Sequence, residues 1–321
     1  QNNTTNTIIG TDGDGVNDSS EANSIFATDT AIHIFNTGNN KVSGNTIGVT
    51  ATGQDLVEGD MYYGINARGT SNIIGWCDTT IHATLCTDSG GSEQGNVIGG
   101  ATTDGIRLGF GCNDCRVYGN WVGTDVAATV DLGNTDNGIF LHRSNTGTRI
   151  GGSGNKANVI QFNAIGIRAD GEFIGASARG SYQIAITDTR IDANTISQND
   201  TYGILLYWTD NYDDTPSGNI TIQDATITAN GADGIAVFGS SPSINDNTIT
   251  NNDGSGVVVE PAFIAYDSNT EAVESYDPAD EATNLVSAPI ISGNTINSNG
   301  SSNIRVFDCE VANADSLFAD N

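Results

Sequence analysis

The chain has 321 residues, 39 acidic against 11 basic, for a net charge of −28, and it holds 40 glycines beside five prolines and one methionine. Such a field repels nucleic-acid phosphates and anionic headgroups, which excludes both as partners, and no apolar run approaches the ~20 residues of a membrane-spanning helix. The composition is that of short strands joined by tight turns, an all-β chain with little material for long amphipathic helices.

The chain starts at Gln1 with no initiator methionine or signal peptide and is expected to be a processed product or segment of a larger secreted protein, one domain over 1–321. It opens on Asn6-Thr7-Ile8-Ile9-Gly10. Related words follow at Gly44-Asn45-Thr46-Ile47-Gly48, Asn72-Ile73-Ile74-Gly75, Gly95-Asn96-Val97-Ile98-Gly99 and Gly119-Asn120-Trp121-Val122-Gly123-Thr124-Asp125. The steps from Asn45 to Asn72, Asn96 and Asn120 are 27, 24 and 24 residues, which predicts a stack of repeats with one word per coil. A second word, Gly-Ile with alternating residues after it, stands at Gly64, Gly105, Gly138, Gly166, Gly203 and Gly234, with Gly256-Val257 as a variant. Alternation sends Ile65, Ile106, Ile139, Ile167, Ile204, Ile235 and Val257 inward and the next residue outward.

From Asn194 the pattern becomes Asn-Thr-Ile-x-x-Asn, repeated at Asn247 and Asn294, with Ala225 in the first Asn place of one copy. Asparagines such as Asn45, Asn96, Asn120, Asn199, Asn230, Asn252 and Asn299 fall at turns, where their amides can form ladders from coil to coil. These features predict a parallel β-helix of about a dozen coils at 22 to 27 residues each. Longer steps mark insertions at 76–93, 172–183, 207–218 and 260–287, the last with seven acidic residues and no Lys or Arg. Asn-x-Ser/Thr triplets at Asn2, Asn3, Asn17, Asn199, Asn219 and Asn299 are possible glycan acceptors.

The words at Gly119 to Asp125, Ile150-Gly151-Gly152 and Asn158-Val159-Ile160 resemble those of the right-handed parallel β-helix proteins of the pectin-lyase-like superfamily, especially secreted microbial proteins built on Gly-Asn-x-Ile-Gly-Thr-Asp. That resemblance implies an all-β solenoid with inserted loops. Polygalacturonase-like chains also resemble this one at Asn134-Thr135-Asp136 and Asp213-Asp214, whereas their Gly-His-Gly and Arg-Ile-Lys words are absent.

Three sets of residues carry candidate chemistry. Asp12, Asp14, Asp18 and Glu21 are spaced around Gly15 like the ligands of a calcium loop, so Ca²⁺ is the expected ion; the blander reading is a polar turn. Cys77 with Cys86, and Cys112 with Cys115, suit two local disulfides, which leaves Cys309 over. Counting outward from each Gly-Ile gives a stripe of Arg68, Arg107, Phe140, His142, Arg168, Asp170, Tyr207 and Phe238. Arginines and rings on a flat sheet suit a glycan through charge-assisted bonds and stacking. The competing reading is a packing site for a loop or a neighbouring chain, which Leu205, Ala236 and Val258 fit better.

The expected function is an extracellular or cell-surface structural or adhesive module, more a fibre component than an enzyme, partnered by itself through coil stacking or by another surface protein. The alternative is a polysaccharide-binding or polysaccharide-degrading enzyme, a lyase or a glycoside hydrolase, using the outward stripe. An enzyme should show a concave cleft with clustered carboxylates or a cation beside Arg107, His142 and Arg168, whereas a fibre module should show a flat stripe met by another subunit.

Overall fold

A computed structural model describes residues 5–14, 16–77, 94–177, 180–209, 220–260, 262–263, 265–267, 272–274, 284–285 and 287–307. Three parallel sheets of nine strands each wind around one core, so that every coil contributes one short strand to each sheet. The first sheet runs from Ile8–Gly10 to Ile290–Ser292, the second from Ser24–Ile25 to Thr295–Asn297, and the third from Thr30–Ile34 to Ile304–Val306. The fold is the right-handed parallel β-helix that the repeat words predict, with nine coils among the described residues where about a dozen were expected.

The coil count falls because the repeat word occurs on two faces of the same coil. Asn45, Asn96 and Asn120 precede strands of the second sheet, whereas Asn72 precedes Ile73–Gly75 of the first. One coil therefore takes 51 residues from Asn45 to Asn96 and only 24 from Asn96 to Asn120. The 27-residue step to Asn72 is a step between sheets.

Stacking in register explains the monotony of the inward letters. Ile32, Ile65, Ile106, Ile139, Ile167, Ile204, Ile235, Val257 and Ile304 pair in succession along the third sheet. Ile65 to Val257 of that column are wholly buried. Burying one such side chain contributes about 1.5–3 kcal/mol, and strand neighbours ~4.8 Å apart keep each column continuous.

Asparagines close the corners. Asn96 Nδ2 donates to Asn120 Oδ1 at 2.9 Å, Asn120 to Asn158 at 3.1 Å and Asn158 to Asn194 at 2.9 Å. Ala225 interrupts this ladder, its backbone N–H donating to Asn247 Oδ1 instead. A separate ladder before the third sheet runs through Asn134, Asn163, Asn199, Asn230, Asn252 and Asn299. Gly123 turns with φ 84°, and a Cβ there would strike the carbonyl oxygen of Gln161, so this corner admits only glycine.

Three insertions leave from the ends of third-sheet strands. After Ile165–Asp170 the strands Glu172–Ser177 and Gly180–Ile184 pair as an antiparallel hairpin. After Val257–Glu260, two short antiparallel pairs join Ala262–Phe263 to Asn284–Leu285 and Ala265–Asp267 to Ala272–Glu274. The third follows Ile204–Tyr207. The insertion at 76–93 instead follows Ile73–Gly75 of the first sheet.

Candidate functional site

The outer face of the third sheet alternates in the expected way. In successive coils His33, Asn66, Arg107, Phe140, Arg168, Leu205, Ala236 and Val258 occupy one outward place. One step along, His142, Asp170, Tyr207, Phe238 and Glu260 follow each other. Beyond Arg168 the first row turns apolar, and Leu205, Ala236 and Val258 are buried.

In the charged half, Phe140 lies between two guanidiniums from the coils on either side. Arg107 sits 4.9 Å and Arg168 5.3 Å from its ring centroid. The ring face attracts both cations, and each also holds a carboxylate. Arg107 Nη1 donates to Asp104 Oδ2 at 3.1 Å and to the Tyr63 hydroxyl at 3.3 Å. Arg168 Nε donates to both carboxylate oxygens of Asp170 at 2.9 Å. Asp104 accepts a further bond from Asn137 Nδ2 at 2.7 Å. Burial raises the pKa of both Asp104 and Asp170 against these bonds.

His142 packs its ring 5.2 Å from Phe140. Its pKa is lowered to about 4, first by burial and then by Arg107, Arg143, Arg68 and Arg168. The imidazole is therefore neutral at physiological pH and can accept a proton. Arg68 reaches this group across Gly109 of the next coil, where a Cβ would come within 2.9 Å of its Cγ. Tyr207 stacks on Trp208 at 4.5 Å and meets Phe238 at 6.2 Å, which extends the face with rings.

The structure thus unites Arg68, Arg107, Phe140, His142, Arg168 and Asp170, with Tyr207 and Phe238 continuing the stripe. Tyr63, Asp104 and Arg143 escaped the sequence reading. Tyr63 and Asp104 each stand immediately before the glycine of a Gly-Ile word, so counting one place backward as well as forward would have found them. Arg143 directly follows His142 and turns with φ 57°. Asn134 of the Asn134-Thr135-Asp136 word is a buried ladder residue, and Asp213-Asp214 lies outside the described residues.

The acidic loop near the start gathers three of the four residues of the calcium-loop expectation. Carboxylate oxygens of Asp12, Asp18 and Glu21 come within 4.8 Å of one another. Asp14 stands apart from the trio and accepts the backbone N–H of Val16. Lys41, fully buried, donates its Nζ to the carbonyl of Asp12 at 2.8 Å. Burial lowers the Lys41 pKa to about 8, against the pull of Asp12, Asp18 and Glu21. An ammonium thus already lies beside the three carboxylates.

Cys112 and Cys115 form a disulfide. Cys77 is buried and disulfide-bonded, while Cys86 and Cys309 lie outside the described residues. Burial alone would raise Asp125, but the N–H groups of Thr129, Val130 and Ala127 hold its carboxyl below the usual range, fixing it as a turn residue.

A family model described as "Right handed beta helix region" matches residues 132–271. Among curated proteins none matches this sequence significantly. Similar solved structures include the periplasmic alginate epimerase AlgG, at 18% identity and TM-score 0.42 over 89% of this chain and 50% of that one. Another is the Azotobacter vinelandii mannuronan C-5 epimerase AlgE4 A-module, at 15% identity and TM-score 0.48 over 91% and 76%. This chain spans about half the length of the AlgG chain. Likeness at this level concerns the fold alone.

These findings correct the expectation of a structural or adhesive fibre module that assembles by coil stacking. The similar solved structures are those of enzymes that modify polysaccharides. The third-sheet face gathers Asp104 and Asp170 with Arg107, Arg168 and His142.

Proposed function

We propose that the outer face of the third sheet binds an acidic polysaccharide and acts on it beside a sugar carboxylate. The observation that supports this above all is the pair of guanidiniums, Arg107 and Arg168, held on either side of Phe140 with the His142 ring packed beside it, in a chain of net charge −28. Guanidiniums bind a uronate carboxylate and stabilise the negative charge that develops when its α-proton is removed. The unprotonated imidazole accepts that proton, and Tyr207 and Phe238 offer ring faces to the sugars.

The electron pair of the broken C–H bond then either expels the glycosidic oxygen, which takes up a proton from water as the double bond forms, or takes a proton from water on the opposite face and inverts the carbon. Both are proton-transfer chemistry. Glycoside hydrolysis fits less well, because it needs two carboxyl groups free to serve as acid and base or nucleophile, and here both Asp104 and Asp170 are bonded to arginine. An extracellular or periplasmic location accompanies this reading, and the Cys112–Cys115 disulfide supports an oxidising compartment.

The test is incubation of the full chain with alginate and with polygalacturonate, with and without Ca²⁺. Unsaturated ends are followed by ultraviolet absorbance and inverted residues by proton NMR, each against a heat-killed control. We expect one of the two products on at least one polymer and its loss in Arg107→Gln/Arg168→Gln. Absence of any product, together with absence of binding to every acidic polymer, would refute the reading.

A further inference from the structure

A second basic site lies on a different face. On the outer side of the first sheet Arg116, Arg149 and Arg190 pair in register through three successive coils, one strand spacing of ~4.8 Å from each to the next. They and Lys156 line an open recess of about 250 Å³ with Tyr118, Gly151 and Asp192. Gly151 stands opposite Asp192 in the lining. The Lys156 ammonium lies 5.6 Å from the Trp76 ring and 5.7 Å from that of Tyr118.

Among the described residues none of the three arginines forms an ion pair. Arg116 Nη1 donates to the carbonyls of Cys115 and Gly147, and Arg149 Nη1 to those of Thr148 and Asp188. These bonds orient the Arg116 and Arg149 guanidiniums, and the nearby carboxylates of Asp188 and Asp192 offset only part of the charge of the row. The pKa of Arg149 is lowered by burial and then by its two arginine neighbours. A row of like charges repels itself, and a bound anion relieves that repulsion.

We propose that this recess is a second binding site, for a carboxylate-bearing sugar unit of an acidic polysaccharide. Its volume suits one sugar rather than a larger ligand. The arginine row supplies donors for the carboxylate, while Asp192 accepts sugar hydroxyls. Lys156, held against the Tyr118 and Trp76 rings, adds a further cation beside the row. The site shares no residue with the third-sheet cluster and can hold one stretch of polymer while another occupies that face. It rests on the proposed class of polymer but not on its turnover.

Calorimetry of the full chain with a size-defined oligouronate at low salt tests the assignment. The comparison is among wild type, Arg149→Gln/Arg190→Gln and Arg107→Gln/Arg168→Gln, with folding checked by circular dichroism. We expect two bound oligomers per wild-type chain and one in each double variant. Long-polymer affinity should fall about tenfold or more without the first-sheet site, through lost bivalency, and Arg149→Lys/Arg190→Lys should recover part of it. Unchanged stoichiometry and salt dependence in Arg149→Gln/Arg190→Gln would overturn this site and leave the third-sheet reading standing. Unaltered activity in Arg107→Gln/Arg168→Gln, with binding lost only in the first-sheet variant, would do the reverse. Equal affinity of the recess for inorganic sulfate or for polyglutamate would overturn its assignment to sugar.

Discussion

Coils two to five and coils six to eight share one inner column and differ on its outer side. The inward residues Ile65, Ile106, Ile139 and Ile167 continue without change into Ile204, Ile235 and Val257, all wholly buried. Outside, the row Asn66, Arg107, Phe140 and Arg168 gives way to Leu205, Ala236 and Val258. Stacking in register demands apolar branched residues on one side of each strand and leaves the other side unconstrained. The change of outer letters along a constant inner column therefore marks where this chain does more than fold.

The comparison can be broken most forcefully inside the column. Ile139→Ala should cost about 2–5 kcal/mol of stability, the range for emptying a buried aliphatic site, as read by chemical denaturation. Its outward neighbour sharpens the contrast. Phe140→Ala should abolish most turnover of the acidic polymer by releasing Arg107 and Arg168 from their common ring, whereas Ala236→Ser, one of the apolar outer places, should leave turnover unchanged. Equal losses from Phe140→Ala and Ala236→Ser would erase the distinction between the two halves.

Acidity tests the charged half more finely. The folded pKa of His142 is about 4, below its ordinary value of 6.5. Between those limits the unfolded chain binds more protons at this residue than the native one, so its contribution to stability is complete above pH 6.5 and is lost as pH falls through about 4. The base likewise stays unprotonated over that window. The acid limb of the pH–rate profile should lie near pH 4 and move upward toward 6.5 when Arg107 or Arg168 is replaced by Gln. An acid limb already near 6.5 in the wild type would contradict the arginine ring around His142.

The smallest effect is expected in the first two coils. Calcium calorimetry should give little heat with the wild type, because Lys41 already faces the carboxylates of Asp12, Asp18 and Glu21, and more with Lys41→Gln. Strong calcium binding by the wild type and none by the variant would reverse this account.

Much of the fold was legible because a solenoid writes the same instruction repeatedly. The Gly-Ile words located the third-sheet strands, and alternation separated Ile106 from Arg107 and Ile139 from Phe140. The coil count was not legible, since Asn72 and Asn96 carry similar words although they open strands of different sheets. The two kinds of corner both need a small residue and an amide ladder, so sequence does not distinguish them. Part of the candidate site was visible as a stripe, but its acid–arginine pairs were not. Nothing in the spacing of Asp104 or Tyr63 says that both turn toward Arg107.

The arginines of the first sheet show the same division. Arg116, Arg149 and Arg190 are 33 and 41 residues apart in the chain, a separation without periodic meaning until the register is known. The sequence by itself determined which side of each strand is apolar, where glycine must turn the chain, and that successive coils stack in parallel, because these follow from local alternation repeated many times. Only the tertiary structure decided which coils are neighbours, since insertions of unequal length separate them in sequence without changing their ~4.8 Å spacing. That adjacency places His142 among four arginines, brings Lys41 under the charge of three carboxylates and aligns three guanidiniums in one row on an otherwise acidic protein.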